Sequence, residues 1–212
     1  MVMLFALSLM LAQAPSWEMV VPAAALSVPR VEISAPSGAG TCSSVVFDID
    51  KDEVASALIA AHCVVGIGGE HVTLTVNGRN AYVSMVNSII DLAIVRFKAR
   101  TESAIVFATE SPRVGTELAV IGYALGVQEW VAQFGRVAQT FNKESKAIWV
   151  DAGILFGDSG GALINAKGEL IGVNNKVFIG GATLGGSIPI EAVKDFVDDW
   201  RDRMADAAKA RK

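Results

Sequence analysis

The segment Gly157-Asp158-Ser159-Gly160-Gly161 constrains this chain more than any other, because it places a serine on a tight turn between glycines. The apolar run 162–164 follows directly and predicts a buried strand. Glycine permits backbone conformations that a Cβ forbids, so the amides of Gly157 and Ser159 can point at one spot beside the serine hydroxyl. The pattern therefore predicts a nucleophilic serine with an oxyanion hole on a rigid support.

A nucleophilic serine needs a base to take its proton and an acid to orient that base. The chain has two histidines, and His62 follows an apolar strand-like run whereas His71 lies in a polar, glycine-rich turn. His62 is therefore the candidate base. Asp91 heads the apolar run 92–97 and is the candidate acid, while the rival aspartates within 48–52 precede the histidine in a predicted hairpin turn.

Three motifs carry a family resemblance, namely AAHC at 60–63, DLAIV at 91–95 and GDSGGAL at 157–163. In the order His, Asp, Ser they resemble the trypsin-like (chymotrypsin-fold) serine proteases over about residues 37–200. The resemblance implies an all-β fold of two six-stranded antiparallel β-barrels with a C-terminal α-helix. The compact length and the segments VDAGILFGDSGGALIN and LGGSIPIEAV are most similar to the bacterial Do-like branch, here without room for a PDZ domain.

The resemblance implies a role for each residue of the three motifs. Ser159 would be the nucleophile of a serine endopeptidase, His62 the general base and then the general acid, and Asp91 the orienting acid. The oxyanion hole would be formed by Gly157, Asp158 and Ser159, with the amides of the first and last as donors. Protein or peptide substrates and no cofactor follow from this assignment.

The pocket for the residue before the cut bond would be formed by three segments that the resemblance identifies. A trypsin needs a carboxylate six residues before the serine, and Gly153 stands there, so cleavage after Lys or Arg is not expected. Ile154 and Val177 predict preference for small or medium apolar residues. The expected pocket residues are Gly153, Ile154, Leu155, Asn175, Lys176, Val177, Gly185, Gly186 and Ser187.

Asp158 leaves two roles open. In relatives made as zymogens, the aspartate before the serine pairs with a new amino terminus after proteolysis, and Arg30-Val31 is a conceivable cut. Do-like enzymes usually carry Asn there, so this chain departs from that pattern. The alternative is that Asp158 forms a hydrogen bond within its own loop.

The family commonly bridges the positions of Cys42 and Cys63, so the resemblance implies a disulfide between them. The alternative is two buried thiols in a reducing cytosol.

The apolar residues 1–14 end in Ala12-Gln13-Ala14, which is typical of a signal-peptidase site, although no Lys or Arg precedes Arg30. A secreted or periplasmic protein is expected, with a retained membrane anchor or excision from a viral polyprotein as alternatives.

The chain is organised into an apolar signal-like segment and extended arm over 1–36 and a protease domain over 37–212. The first barrel is expected at about 37–100, a crossover at 99–113, the second barrel at about 114–189 and a helix at about 190–210. The predicted strands are 45–49, 57–61, 72–76, 81–86, 92–97, 117–122, 130–138, 147–150, 161–164, 169–174 and 182–188. The helix is predicted from Val193, Phe196, Val197 and Trp200, which are spaced for one buried face.

Other classes of function fit less well. A net charge of −4 does not suggest a nucleic-acid surface, and two histidines with two cysteines do not suggest a metal site. Membrane contact is expected only if the N-terminal apolar segment is retained. The main alternative is a catalytically silent protease fold used for binding or as a chaperone; an esterase of another fold normally has its serine before its histidine. The Do-like resemblance also implies a homo-oligomer, with the apolar segment 19–27 as the candidate contact.

Overall fold

The computed structural model describes residues 16–65, 72–140, 147–177 and 184–210. The signal-like segment 1–14, His71 and part of the last predicted strand lie outside the described residues. The helices and strands are α1 (Trp17–Ala25), β1 (Arg30–Ala35), β2 (Gly38–Ser43), β3 (Val45–Ile49), β4 (Val54–Ala60), β5 (Thr73–Val76), β6 (Arg79–Asn87), β7 (Leu92–Lys98), β8 (Glu117–Gly122), β9 (Val131–Gln139), β10 (Ile148–Val150), β11 (Ala162–Asn165), β12 (Leu170–Val177), β13 (Gly185–Pro189) and α2 (Ile190–Ala210).

The first seven strands form one antiparallel sheet in the order β2-β1-β5-β6-β7-β4-β3. The sheet curls around the side chains of Ala57, Ile59 and Val95, which are fully buried. The alternate residues of the same strands, Leu58 and Ile94, point to the opposite face and are equally buried there. Because both faces of β4 and β7 are covered, these strands are continuous apolar runs rather than alternating ones.

The last six strands close into a barrel in the order β10-β13-β12-β11-β8-β9, completed by the pairing of β9 with β10. Its interior contains Leu118, Val120, Leu163 and Ile171. The outward-facing residues of the same strands, such as Ile121, pack on the first sheet and on both helices. This shared apolar layer joins the two halves of the molecule.

The predicted two-barrel arrangement and C-terminal helix are confirmed, with one difference in the first barrel. It has seven strands rather than six, and β2 and β3 are the unjoined ends of its sheet. The seventh strand is β1, which pairs with both β2 and β5. The first barrel is therefore an open, curled sheet, and the second alone is closed among the described strands.

The segment 15–36 is not an extended arm, because it contains α1 and β1. Four prolines there argued against regular structure, and Pro22 does lie inside α1. The helix is nevertheless held by packing, since Val20, Val21 and Ala24 are buried in the layer between the two halves. The expected boundary at residue 36 also falls inside the β1–β2 hairpin.

Helix α2 buries the predicted face and crosses both halves of the molecule. Val193, Phe196, Val197 and Trp200 are buried. The Trp200 ring meets Phe47 of the first sheet edge to face at 5.5 Å between ring centroids. Its indole N–H donates to Ser84 Oγ at 2.9 Å. The helix therefore fixes the first sheet against the second barrel rather than covering the second barrel alone.

Candidate active site

His62 and Asp91 are brought together by the pairing of β4 with β7. Ala60, the last residue of β4, pairs with Leu92, the first residue of β7. His62 lies in the single 3₁₀ turn that follows β4, and Asp91 immediately precedes β7. The Asp91 carbonyl accepts a hydrogen bond from Ala61 N at 3.0 Å, which closes this corner. Asp91 has φ +59°, a left-handed conformation that aspartate adopts more readily than most residues.

The Asp91 carboxylate holds the imidazole of His62 in one orientation. His62 Nδ1 lies 2.9 Å from Asp91 Oδ2 and 3.1 Å from Oδ1. The His62 backbone N–H donates to Oδ1 at 2.9 Å. With Nδ1 bound to the carboxylate, Nε2 is the ring nitrogen left to exchange a proton. The His62 side chain is 49% exposed, so a substrate can reach it.

Asp91 is held in its charged form. Partial burial alone would raise its pKa. The hydrogen bonds from the His62 ring and backbone, the charge of His62 and the hydrogen bond from the Asn175 amide together lower the pKa by more than burial raises it. The net result is a pKa below the ordinary value of an aspartate. A carboxylate that stays charged can stabilise an imidazolium ion on its neighbour.

Ser159 lies in the loop between β10 and β11, and this loop packs on the end of the strand that leads to His62. Ser159 O accepts from Ser43 N at 2.9 Å, and Gly160 N donates to Asn174 O at 2.7 Å. Gly160 has φ +86°, and a Cβ built on it would lie 2.2 Å from Ser43 O and 3.0 Å from Ala60 N. Only a glycine allows this approach, which brings the serine loop against the His62 corner.

The Ser159 hydroxyl is not hydrogen-bonded to the imidazole of His62. Ser159 is 8% exposed, and no such bond to its Oγ is present within the described ranges. Catalytic hydrogen bonds are often long in the unliganded form and shorten when substrate binds. Cys63 Sγ lies 4.0 Å from Ser159 O, so the residue next to His62 touches the serine loop.

The loop before Ser159 leaves two backbone amides without a protein partner within the ranges that the structure describes. Gly157 has φ +97°, and Phe156 O accepts a hydrogen bond from Leu125 N at 2.5 Å. Because the C=O and N–H of one trans peptide point in opposite directions, the Gly157 N–H is turned away from Leu125. Neither this N–H nor that of Ser159 donates to another group in the described part of the chain. Both donors are available for a ligand.

Asp158 is buried between the two proposed oxyanion donors. It is 1% exposed, its Oδ2 accepts from Leu155 N at 2.9 Å, and its Oδ1 has no partner among the described residues. Burial raises the pKa of Asp158 to about 6, although the Leu155 hydrogen bond opposes the shift. Of the two roles considered for Asp158, the structure contains the hydrogen bond within its own loop.

Ser43 supports this loop from the first sheet, although no sequence pattern identified it. Its Oγ donates to Gly157 O at 2.8 Å and accepts from Tyr123 N at 2.9 Å. Ser43 is fully buried at the end of β2. One hydroxyl therefore links the loop before Ser159 to both halves of the molecule. The neighbouring Cys42 was the only sequence signal in this region.

Cys42 and Cys63 form a disulfide with a Cα–Cα distance of 6.5 Å. It joins the end of β2 to the residue that directly follows His62. Together with the Ser43 contacts, this bond fixes His62 relative to the serine loop.

The expected pocket residues fall into two groups. Ile154 packs on Gly185, whose built Cβ would lie 2.5 Å from Ile154 Cγ1, and Lys176 lies across Gly186. Gly153 and Leu155 border the same region, and the backbone of Val177 pairs with Gly185. Ile154 is 2% exposed, so its side chain is enclosed by these neighbours.

Two expected pocket residues have other partners. Ser187 is fully buried, and its Oγ donates to Asn174 Oδ1 at 3.1 Å. Asn175 is turned toward the acid of the first sheet and donates to Asp91 Oδ2 at 3.4 Å. The resemblance placed Asn175 in the pocket with the rest of its segment, but alternate side chains on β12 point in opposite directions.

The described ranges contain no cluster of three or more His, Cys, Asp or Glu side chains that could hold a metal ion. Over the same ranges, no helix has both the length and the apolar character needed to cross a bilayer.

Comparison with known proteins identifies the family of this chain. The family model described as a trypsin-like peptidase domain matches residues 34–173. A probable periplasmic serine endoprotease DegP-like from Buchnera aphidicola subsp. Schizaphis graminum is 33% identical over 168 residues, which cover 74% of this chain and 34% of that protein. The serine protease Do-like HtrB of Bacillus subtilis is 32% identical over 173 residues, covering 74% of this chain and 37% of HtrB. The chain thus spans little more than a third of the length of these relatives, which confirm the resemblance to the Do-like branch.

Solved structures share the fold. The serine endoprotease from Yersinia pestis superposes with a TM-score of 0.73 at 23% identity, covering 88% of this chain and 66% of that one. The HtrA-type protease AlgW with a tripeptide gives a TM-score of 0.74 at 24% identity, covering 87% and 63%. At these identities the likeness concerns the fold alone.

Proposed function

The chain belongs to the trypsin-like peptidase family, and from that premise we propose that it is a serine endopeptidase that forms an acyl-enzyme on Ser159. The observation that carries the proposal is the His62–Asp91 pair, with Nδ1 and Oδ2 2.9 Å apart at a corner against which the Ser159 loop packs. The three residues are separated along the chain, and the closeness of the Ser159 loop to the His62–Asp91 pair supports a shared role.

In the proposed reaction, His62 Nε2 removes the proton of Ser159 Oγ as the oxygen attacks the carbonyl carbon of the substrate. The electron pair of the carbonyl moves to its oxygen, which binds the amides of Gly157 and Ser159. When the C=O bond re-forms, the C–N bond breaks and His62 gives the proton to the leaving amine. Water then attacks the acyl group with the same proton transfers and releases Ser159. Asp91 stays charged throughout and stabilises the imidazolium.

The proposed substrates are proteins or peptides cut after small or medium uncharged residues. Gly153 offers no carboxylate to a basic side chain, which removes the basis for cleavage after Lys or Arg. Ile154 limits the width of the pocket where it packs on Gly185. The apolar preference expected from the sequence rests on Ile154 and its apolar surroundings.

A fluorophosphonate probe tests the proposal directly, because it reacts with an activated serine whatever the peptide preference. Wild type should be labelled and should degrade casein, whereas Ser159→Ala should do neither. His62→Ala and Asp91→Asn should lose labelling by orders of magnitude. Ser34→Ala, at an exposed serine on β1, is the matched control and should behave as wild type. Labelling without peptide hydrolysis would favour the silent binding or chaperone alternative, and no labelling would overturn the proposal.

A secreted or periplasmic location is part of the proposal. It rests on the disulfide, which persists in oxidising compartments, and on the Buchnera relative, which is named as periplasmic. Fractionation of cells that express the chain, with a thiol-blocking mass shift to score the disulfide, tests it. The proposed homo-oligomer is tested by light scattering on the purified protein.

A further inference from the structure

A polar side chain that no pocket motif contains lies beside Gly153, the residue expected at the base of the proposed pocket. Gln133 belongs to β9 of the second barrel, and its side chain lies over the α-carbon of Gly153. A Cβ built on Gly153 would stand 2.6 Å from Gln133 Oε1 and 3.7 Å from Cδ. The Gln133 amide therefore occupies the space that a longer side chain at position 153 would fill.

The direction of the Gln133 side chain follows from the alternation of β9. Val137 on this strand is buried in the interior of the second barrel, and Gly135 faces Ala152 of the same interior. Residues 133, 135 and 137 share one face, so Gln133 points to the barrel interior beside Gly153. Phe134 points the other way and packs edge to face on Trp17 outside the barrel.

The Gln133 amide has no protein partner within the described ranges. It makes no hydrogen bond to another described residue, and it is neither fully buried nor fully exposed. An amide in this state is solvated in the free protein and is covered when a substrate side chain enters. A polar group that becomes covered without a hydrogen bond costs free energy, whereas one that gains a partner does not.

We propose that Gln133 determines specificity by favouring, directly before the cut bond, a neutral side chain with a hydrogen-bonding end over its apolar isostere. The inference deepens the proposed function and rests on it. An amide carries a donor and an acceptor but no charge, so it suits hydroxyl and amide side chains. Ile154 against Gly185 keeps these side chains narrow. The proposed pocket still favours uncharged side chains. The Gln133 amide adds a preference for a hydrogen-bonding end, which the apolar neighbours alone would not produce.

Matched peptide pairs test this inference at three side-chain lengths, namely Thr against Val, Asn against Leu, and Gln against Met before the cut bond. In wild type at least one pair should favour the polar member by roughly three- to tenfold in kcat/KM. In Gln133→Leu that ratio should fall to one or below. Gln139→Leu, at an exposed glutamine on the same strand, is the matched control and should keep the wild-type ratios.

A second variant gives a result that a merely structural role for Gln133 would not produce. Gln133→Glu keeps the size of the side chain and adds a charge, so cleavage after Lys should rise about tenfold relative to cleavage after Gln. This variant supplies the readout even if the leucine variant does not fold.

The inference is overturned if wild type favours the apolar member of every pair, or if Gln133→Leu leaves the ratios unchanged while fluorophosphonate still labels it. Fluorophosphonate labelling does not depend on the peptide. If the wild-type protein is not labelled, the proposed function fails, and the specificity inference fails with it.

Discussion

The side-chain amide of Asn175 reaches across the interface between the two halves of the molecule and donates a hydrogen bond to Asp91 Oδ2 at 3.4 Å. Asp91 is thus held by the His62 ring, by the His62 backbone and by a strand of the second barrel. The position of the orienting carboxylate depends on how the barrels dock. This hydrogen bond gives Asn175 a part in supporting the carboxylate of the proposed triad.

Asn175→Ala should lower kcat about fivefold and leave KM nearly unchanged. A hydrogen bond to a charged group is worth about 1.5–3 kcal/mol, but 3.4 Å is long, so about 1 kcal/mol is expected here. Steady-state kinetics on one peptide gives both constants. A rise in KM at constant kcat would show that Asn175 contacts substrate instead.

Gly160→Ala should prevent formation of the active site. The new Cβ would lie 2.2 Å from Ser43 O at a residue with φ +86°. The left-handed conformation costs about 1–2 kcal/mol and the overlap adds about 1–3 kcal/mol. Urea unfolding in a Ser159→Ala background, which prevents self-cleavage, measures the total. Fluorophosphonate labelling of Gly160→Ala alone should be lost.

Gly78→Ala separates the two costs. Gly78 also has a positive φ, +73°, but nothing lies within 4 Å of its built Cβ. It should lose only the conformational part, about 1–2 kcal/mol, and keep full labelling. Equal losses in the two variants would contradict the close packing of Gly160 on the His62 corner.

Removal of the Cys42–Cys63 disulfide should lower the free energy of unfolding by about 3 kcal/mol, because the bond closes a loop with a sequence separation of 21. The double variant Cys42→Ala with Cys63→Ala, compared by urea midpoint with its parent, measures this loss. Both cysteines of the chain are in this bond, so dithiothreitol treatment of the parent should reproduce the effect. An unchanged midpoint would show that the β2 corner is held without the bond.

Asp158 should make the protein less stable as the pH rises through 6. Its pKa is about 6 in the folded state against about 3.9 when unfolded, so the folded state holds the proton more tightly. Stability from this group is complete below about pH 4 and is lost between about pH 4 and 6, on the order of 3 kcal/mol in all. Asp158→Asn should therefore be more stable than its parent at pH 8, with the difference vanishing near pH 4.

Melting temperatures at both pH values, in the Ser159→Ala background, measure the effect. Asp195→Asn, at an exposed aspartate on α2, is the matched control for the removal of one carboxylate. A parallel shift of Asp158→Asn at all pH values would contradict burial of a charged carboxylate as the cause.

The strands next to the proposed triad could be predicted from the sequence, because β4, β7 and β11 are apolar runs that bury both faces. Helix α2 was predicted from its single buried face. Helix α1 was not, because the prolines of the segment 15–36, one of them inside the helix, argue against regular structure. Its stability comes from contacts with distant strands. Local patterns do not contain such contacts.

The same distinction applies within the site. The motifs identify His62, Asp91 and Ser159, each of which lies in a short segment with a recognisable pattern. Gln133 and Ser43 lie in no such pattern, and they reach the site only because the barrel closes and the two halves dock. Supporting and specificity-determining groups of this kind depend on tertiary contacts, and a single sequence does not display those.

The division of the proposed triad between two halves also bears on synthesis. The base and acid belong to the first sheet and leave the ribosome early, whereas Ser159 arrives with the second barrel. Domains fold as units from the amino terminus during synthesis. A growing chain therefore carries a histidine and an aspartate without a nucleophile, and the proposed site stays incomplete until the second barrel has closed and docked.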